Sequence, residues 1–130
     1  MSNLAESGVV IFALDLPRVA RFYQEVLGLP AVEQGPHHVV LGGPRCQVIV
    51  HAIPAEIAAT ITLSSPPQRR EESALKPFFP VASLAAARAS ADGLGGLVDP
   101  PEREWTAGGL RACDGHDPEG NVLQLREPAG

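Results

Sequence analysis

The stretch from Gly8 to Leu29 limits the possible folds more than any other. It spells a strand, a helix start, an amphipathic helix and a stop without a break. Val9 to Leu14 are uninterrupted apolar residues between Ser7-Gly8 and Asp15, the pattern of a short buried strand. Asp15 is suited to accept hydrogen bonds from the free amides of a first helical turn. Pro17 is tolerated there because its missing N–H has no partner to lose. Val19, Phe22, Tyr23, Val26 and Leu27 then recur at helical spacing as one apolar stripe, with Arg18, Arg21, Gln24 and Glu25 off it. The spacing assigns Phe22 and Tyr23 to the core. Gly28 falls where a left-handed C′ residue ends a helix.

The pattern continues as a β-rich half. Ala31 to Glu33, His37 to Leu41 and Cys46 to His51 read as three strands, separated by Gln34-Gly35-Pro36 and Gly42-Gly43-Pro44. In the last of them Cys46, Val48 and Val50 suit a core face, and Gln47, Ile49 and His51 a half-polar face. The first half is therefore β-α-β-β-β. Pro54 to Ala58 reads as a helical turn, Ala59 to Ser64 as an extra strand, and Pro66 to Glu72 as a polar arm. Then the motif returns. The offset that lays Asp15-Leu16 onto Ser83-Leu84 also lays Gly28-Leu29 onto Gly96-Leu97, the mark of an internal duplication. Phe78 to Val81 is the second opening strand, weakened by Pro80. Ser83 caps a helix lined by Leu84, Ala87, Ala91 and Leu94, and Gly95-Gly96 end it. Leu97-Val98, Leu110 to Cys113 and Val122 to Leu125 are the remaining strands; Asp99-Pro100-Pro101 and Thr106-Ala107-Gly108-Gly109 are turns. The expected organisation is a single domain over 1–130, with one module at about 5–53, a connecting arm at about 54–73 and a second module at about 74–128.

Composition narrows the function classes. Hydrophobic residues make up 45% of the 130, enough for a core, and the formal charge of −5 argues against non-specific nucleic-acid binding. No apolar run approaches the roughly 20 residues needed to span a bilayer. Met1 to Glu6 have neither a basic n-region nor an apolar h-region, so no secretory signal is expected and a cytoplasmic location follows. Cys46 and Cys113 lie in strand-like segments and read as buried free thiols, with a bridge or a nucleophile as the alternatives. No Ser/His/Asp arrangement and no Walker or Rossmann glycine loop is present, so no residue is assigned a catalytic role.

Two β-α-β-β-β modules in this length, with Asp15-Leu16 opening the first helix, resemble the vicinal oxygen chelate superfamily. That superfamily includes glyoxalase I, bleomycin-resistance proteins, extradiol dioxygenases and fosfomycin-resistance enzymes. The closing run Asp117-Pro118-Glu119-Gly120-Asn121-Val122-Leu123-Gln124-Leu125-Arg126-Glu127-Pro128 is similar to that family's last hairpin turn and last strand. The resemblance implies an α+β fold whose two modules form curled mixed sheets around a concave cavity. In metal-dependent members it implies four ligands, one from the first and last strand of each module, holding a divalent ion. Carried over by position, these fall on Gly8, Ile49, Lys76 and Gln124, with His51 reached by shifting the register of the fourth strand by two. Glycine and isoleucine offer no donor, a protonated lysine repels a cation, and an amide oxygen is a neutral, weak ligand. The inherited metal site is therefore expected to be gone and no cofactor is expected. A divalent metal on a rebuilt set of His51, Glu104, His116 and Gln124 is the alternative.

The reading that results is a protein binding a small organic molecule in the concave cavity without the metal. Its candidate lining is Phe12, Gln47, Ile49, His51, Lys76, Trp105, Gln124 and Arg126. Lys76 and Arg126 are either partners for an anionic ligand group or solvated edge residues. Trp105 either covers a sheet edge or subunit interface, or stacks on a flat ligand. His51 and His116 are either general bases or ordinary strand-end and turn histidines; His37-His38 opens a strand and receives no role. The acidic net charge would favour a cationic ligand through its field alone. Resemblance to the drug-binding members implies a homodimer. The alternatives are a metal-dependent lyase, isomerase or dioxygenase, and an interaction module whose cavity is filled by Phe12, Phe78 and Trp105.

Overall fold

The computed structural model describes residues 5–130; residues 1–4, part of the stretch read as lacking a secretory signal, lie outside them. The first module runs β1 (Ser7–Ala13), α1 (Leu16–Leu27), β2 (Ala31–Gln34), β3 (His38–Gly42) and β4 (Cys46–Ala52). A four-residue helix, α2 (Ala55–Ala58), opens the connecting arm. The second module runs β5 (Phe78–Pro80), α3 (Leu84–Gly93), β6 (Leu97–Val98), a 3-10 turn (Pro101–Arg103), β7 (Trp105–Ala107), β8 (Leu110–His116) and β9 (Val122–Pro128). The sheets are ordered β1-β4-β3-β2 and β5-β9-β8-β6, with β7 also paired to β8. In each module the first strand lies parallel to the last, across the returning chain. β6 and β7 hold opposite ends of β8, at Gly115–His116 and at Leu110–Ala112, so together they are one edge strand interrupted by residues 99–104. The fold is mixed α+β, built of two curled, unclosed mixed sheets.

The caps form as their residues dictate. Asp15 accepts from the Arg18 amide at 3.2 Å, and Ser83 accepts from the Ala86 amide at 3.1 Å. Gly28 takes φ +68°, a conformation costly to any residue with a Cβ. Four sequence expectations are corrected. Ala59 to Ser64 form no strand: Thr60 and Ile61 bond back to Ile57 and Ala58, so the turn of α2 runs on and no sheet edge receives them. The left-handed residue after α3 is Gly95, at φ +87°, and not the expected counterpart Gly96; α3 is ten residues long where α1 has twelve. Thr106 and Ala107 belong to β7, leaving the turn to Gly108 and Gly109, both at positive φ. Cys46 is exposed at the start of β4, whereas Cys113 is buried and free.

The core lies between the helices and the outer faces of the sheets. Val48, Val50, Leu41 and Ala13 from the first sheet and Leu123, Leu125 and Cys113 from the second are each fully buried. Phe22, Tyr23, Val19, Leu84 and Ala91 cover them from α1 and α3, which also touch one another. Tyr23 packs edge-on against Phe22 and against Phe79 of the other module, at centroid distances of 5.2 and 6.2 Å.

The modules are also joined by two buried carboxylates in the β8–β9 turn. Glu119 accepts from the backbone amides of Leu14 and Asp15 at 2.9 and 2.8 Å, where β1 turns into α1. Asp117 accepts from the Tyr23 hydroxyl and the Asn121 amide, both at 2.8 Å, and from the Glu119 and Asn121 backbone amides. Burial and the neighbouring Asp117 carboxylate push the Tyr23 phenol well above its usual value.

Glu119→Ala leaves two amides at this joint without their charged acceptor. It is expected to lower stability by about 2–4 kcal/mol in urea unfolding, where a loss under 0.5 kcal/mol would show the joint to be idle. Tyr23 is the only tyrosine, so phenolate absorbance near 295 nm reports this residue alone. With the folded pKa raised, the contribution of Tyr23 is complete below the unfolded value of about 10 and is lost as pH rises above it. The phenolate signal is expected only together with alkaline unfolding; ionisation near pH 10 in the folded protein would contradict the burial argument.

Candidate functional site

The strand pairs define the faces turned away from the helices. In the first sheet Gly8 lies beside Gln47, Val10 beside Ile49 and Phe12 beside His51, and β3 adds Val40 beside Ile49 and His38 beside His51. In the second sheet Phe78 lies beside Gln124, Gln124 beside Asp114, and Arg126 beside Ala112, which in turn lies beside Trp105. Of the sequence-derived lining, Phe12, Gln47, Ile49, His51, Trp105, Gln124 and Arg126 stand in these strand rows, and Lys76, which precedes β5, reaches Asp114. β1, the connecting arm and the start of β9 border a crevice of about 430 Å³ that takes in Val10, Phe12, Ile61, Leu75 and Val122. Val10, Phe12 and Phe78 are each more than half exposed, so the inner faces present apolar surface to solvent. A groove of about 530 Å³ on the outside of α1 is of similar size, but its charged groups, Arg21 and Glu25, satisfy each other.

The first module presents a row of rings. Phe12 and His51 are 5.7 Å apart, and His38 stacks on His51 at 6.4 Å with an interplanar angle of 18°. The His51 Nδ1 lies 2.8 Å from the Ala52 carbonyl, which can only accept, so Nδ1 carries a proton and Nε2 is the atom left for a ligand. His38 Nε2 is 2.6 Å from Glu33. Residue type gave His38 no role, yet the alternation along β3 and β4 contained the signal that places it beside His51.

The second module presents a polar chain. The Lys76 ammonium donates to Asp114 Oδ2 at 2.8 Å, and the Gln124 amide donates to Asp114 Oδ1 at 3.3 Å. Gln124 Oε1 accepts from Arg126 Nε at 2.7 Å, and the Arg126 guanidinium lies 3.7 Å from the Phe78 ring centroid. Asp114 was visible in the sequence only as a neighbour of His116. Its place here follows from standing opposite Gln124 on β8.

The rebuilt metal set is not brought together. Glu104 turns toward the helix side, where Arg88 donates to it at 2.6 Å and Arg111 lies within 3.9 Å. His116 uses Nδ1 on the Asp117 carbonyl at 2.9 Å, and Gln124 is committed to Asp114 and Arg126. Among the described residues no three His, Cys, Asp or Glu side chains are grouped to hold a metal ion. The positions that resemblance assigns to the family metal do not fit one either. Lys76 is an ion-paired cation and Ile49 has no donor. Gly8 is closed sterically as well as chemically: a Cβ there would meet the Gln47 carbonyl oxygen at 2.5 Å.

Comparison with known proteins agrees with this architecture. The model of the glyoxalase-like domain matches residues 8–126, and the chain belongs to that family. It is similar to a glyoxalase/bleomycin resistance protein/dioxygenase family enzyme from Burkholderia phytofirmans PsJN, at 20% identity and a TM-score of 0.66, over 95% of this chain and 98% of that one. It is similar to a glyoxalase/bleomycin resistance protein from Albidiferax ferrireducens T118, also at 20% identity and a TM-score of 0.66, over 93% and 97% of the two chains. A fosfomycin resistance protein from Listeria monocytogenes matches at 14% identity and a TM-score of 0.62, over 98% and 94%. Such identities show the shared fold. No curated protein gives a significant match.

The close approach at Gly8 gives a direct test. Gly8→Ala is expected to destabilise the protein by about 1–3 kcal/mol in urea unfolding, because the backbone that it meets cannot swing aside. An unchanged midpoint would show that the β1–β4 pairing leaves room for a side chain.

Proposed function

We propose that this chain binds a small organic molecule on the inner faces of its two sheets, and that it does so without the divalent ion of its metal-dependent relatives. One observation carries the reading. The strand positions that would supply metal ligands hold Gly8, Ile49, Lys76 and Gln124, while the surface around them keeps the makeup of a ligand site. Val10, Phe12, Phe78 and Trp105 supply apolar and aromatic area, and His51, Gln124 and Arg126 supply a few fixed polar groups. The exposed rings argue against an interaction module with a filled cavity, since Phe12 and Phe78 leave more than half their surface free. We further propose that the inner faces are completed by a second copy of the chain, which would cover part of this apolar surface. Among the described residues no helix is long and apolar enough to cross a membrane.

Elemental analysis and a ligand screen test this together. Protein incubated with excess zinc, nickel, manganese or iron and then desalted is expected to retain far less than one ion per chain. A thermal-shift screen of small organic molecules is expected to yield stabilising compounds, and light scattering a mass of twice 13.6 kDa. Retention of one ion per chain would overturn the metal-free reading. A screen without a single stabilising compound would overturn the binding reading, and a monomeric mass would overturn the pairing.

A further inference from the structure

The inner face of the second module carries two cations, and the structure uses them differently. Lys76 is neutralised by Asp114 at 2.8 Å. Arg126 touches no carboxylate among the described residues, whereas Arg69, Arg88 and Arg111 each end on one. Its Nε is held by Gln124 Oε1, and that amide is oriented in turn by Asp114. Its plane lies against Phe78. The two Nη groups have no partner among the described residues. The guanidinium is thus fixed at its root, covered on one side and open at its fork, the state in which least rotamer freedom remains to be lost on binding. With Nε occupied, an oxyanion is met end-on by the two Nη groups.

The neighbouring lattice of side chains limits what carries that oxyanion. Arg126, Ala112 and Trp105 stand in one row across β9, β8 and β7. Two strand spacings, about 9–10 Å, separate the arginine from the tryptophan, with only a methyl group between them. Phe78 and Trp105 leave 57% and 41% of their surface to solvent. Ala112 is itself covered, at 5% exposed, so the surface the row leaves open is the ring of Trp105, with Phe78 behind the guanidinium, and an open aromatic face accepts a flat ring. Resting on the reading that the inner face binds a small molecule, we infer that its ligand is a planar aromatic carboxylic acid, held by the open fork of Arg126 with its ring against the exposed face of Trp105. The net charge of −5 does not oppose this, since exposed charges beyond a Debye length of about 8 Å are screened.

The probes are 4-fluorobenzoate and its neutral counterpart 4-fluorobenzamide, titrated by fluorine NMR and by emission of Trp105, the only tryptophan. The acid is expected to bind at least tenfold tighter than the amide and to change Trp105 emission. Arg126→Gln is expected to weaken the acid at least tenfold and the amide less than twofold. Arg126→Lys keeps a stacked cation but lacks the fork, and is expected to weaken the acid at least threefold. Arg45→Gln makes the same change of net charge at an 88% exposed site and is expected to shift neither affinity by twofold. Equal binding of acid and amide would overturn the inference and leave the broader binding reading in place. So would an Arg126→Gln loss matched by Arg45→Gln, or acid binding that leaves Trp105 emission unmoved. Failure of both probes to bind would overturn it as well, and only the wider screen failing too would remove the binding reading.

Discussion

The fold depends on what happens when the carboxylate of Glu119 meets the amides of Leu14 and Asp15. These amides open α1, where backbone N–H groups have no partner within the helix and the helix dipole favours negative charge. The carboxylate comes from the other module, so a local need of the first helix is met across the domain. Asp117, two residues earlier, takes the Tyr23 hydroxyl about two turns further along the same helix. One turn therefore grips α1 at two points and sets how the sheets stand to one another. The arm reinforces this turn from outside: Arg70 donates its backbone amide to Gly120, and Arg69 pairs with Asp99 at 2.6 Å with both side chains mostly covered. Gly120 can carry no side chain there, because a Cβ would run into the Gln68 carbonyl and its φ is +85°.

Because the helices and the turn consolidate the outer faces, the inner faces are released from structural duty. This explains how apolar residues as large as Phe12 and Phe78 remain open to solvent in a chain whose outer faces are well buried. Gly8 lies against the Gln47 backbone with no room for a side chain, and Lys76 and Gln124 share the carboxylate of Asp114. An isolated ammonium on this face would be a cost; Asp114 compensates it and orients Gln124 in the same step.

Much of this was legible in the sequence. The cap, stripe and stop of α1 marked both ends of the helix, and the duplication predicted the β-α-β-β-β succession, to which the second module adds β7. The inner-face residues were legible from parity alone, since a strand side is decided by counting in twos. What could not be read was long-range partnership. Asp117 and Glu119 read as turn residues, because nothing local tells that their carboxylates are buried against α1, more than ninety residues away. Cys46 read as buried because its alternation with Val48 and Val50 was correct, but the face it shares is uncovered at that end of β4. The repeat lays Gly28 onto Gly96, but α3 is two residues shorter than α1, so of the pair Gly95-Gly96 it is Gly95 that takes the left-handed stop, and Gly96 lies so close to Phe22 that a Cβ would collide with the ring.

The two modules also show how a duplicated backbone comes to divide a task. Val10 beside Ile49 and Phe78 beside Gln124 are equivalent points of the two sheets. The backbone sets the same positions twice, so the difference between the halves lies in side-chain chemistry. The first module placed rings there, Phe12, His51 and His38 in succession, whose polar atoms are largely taken up by Ala52 and Glu33. The second placed a chain of charges and amides that ends in an open guanidinium. A ligand held between such faces meets mostly shape and apolar area on one side and directed hydrogen bonding on the other. On the proposed binding reading, that asymmetry would give a bound molecule one orientation.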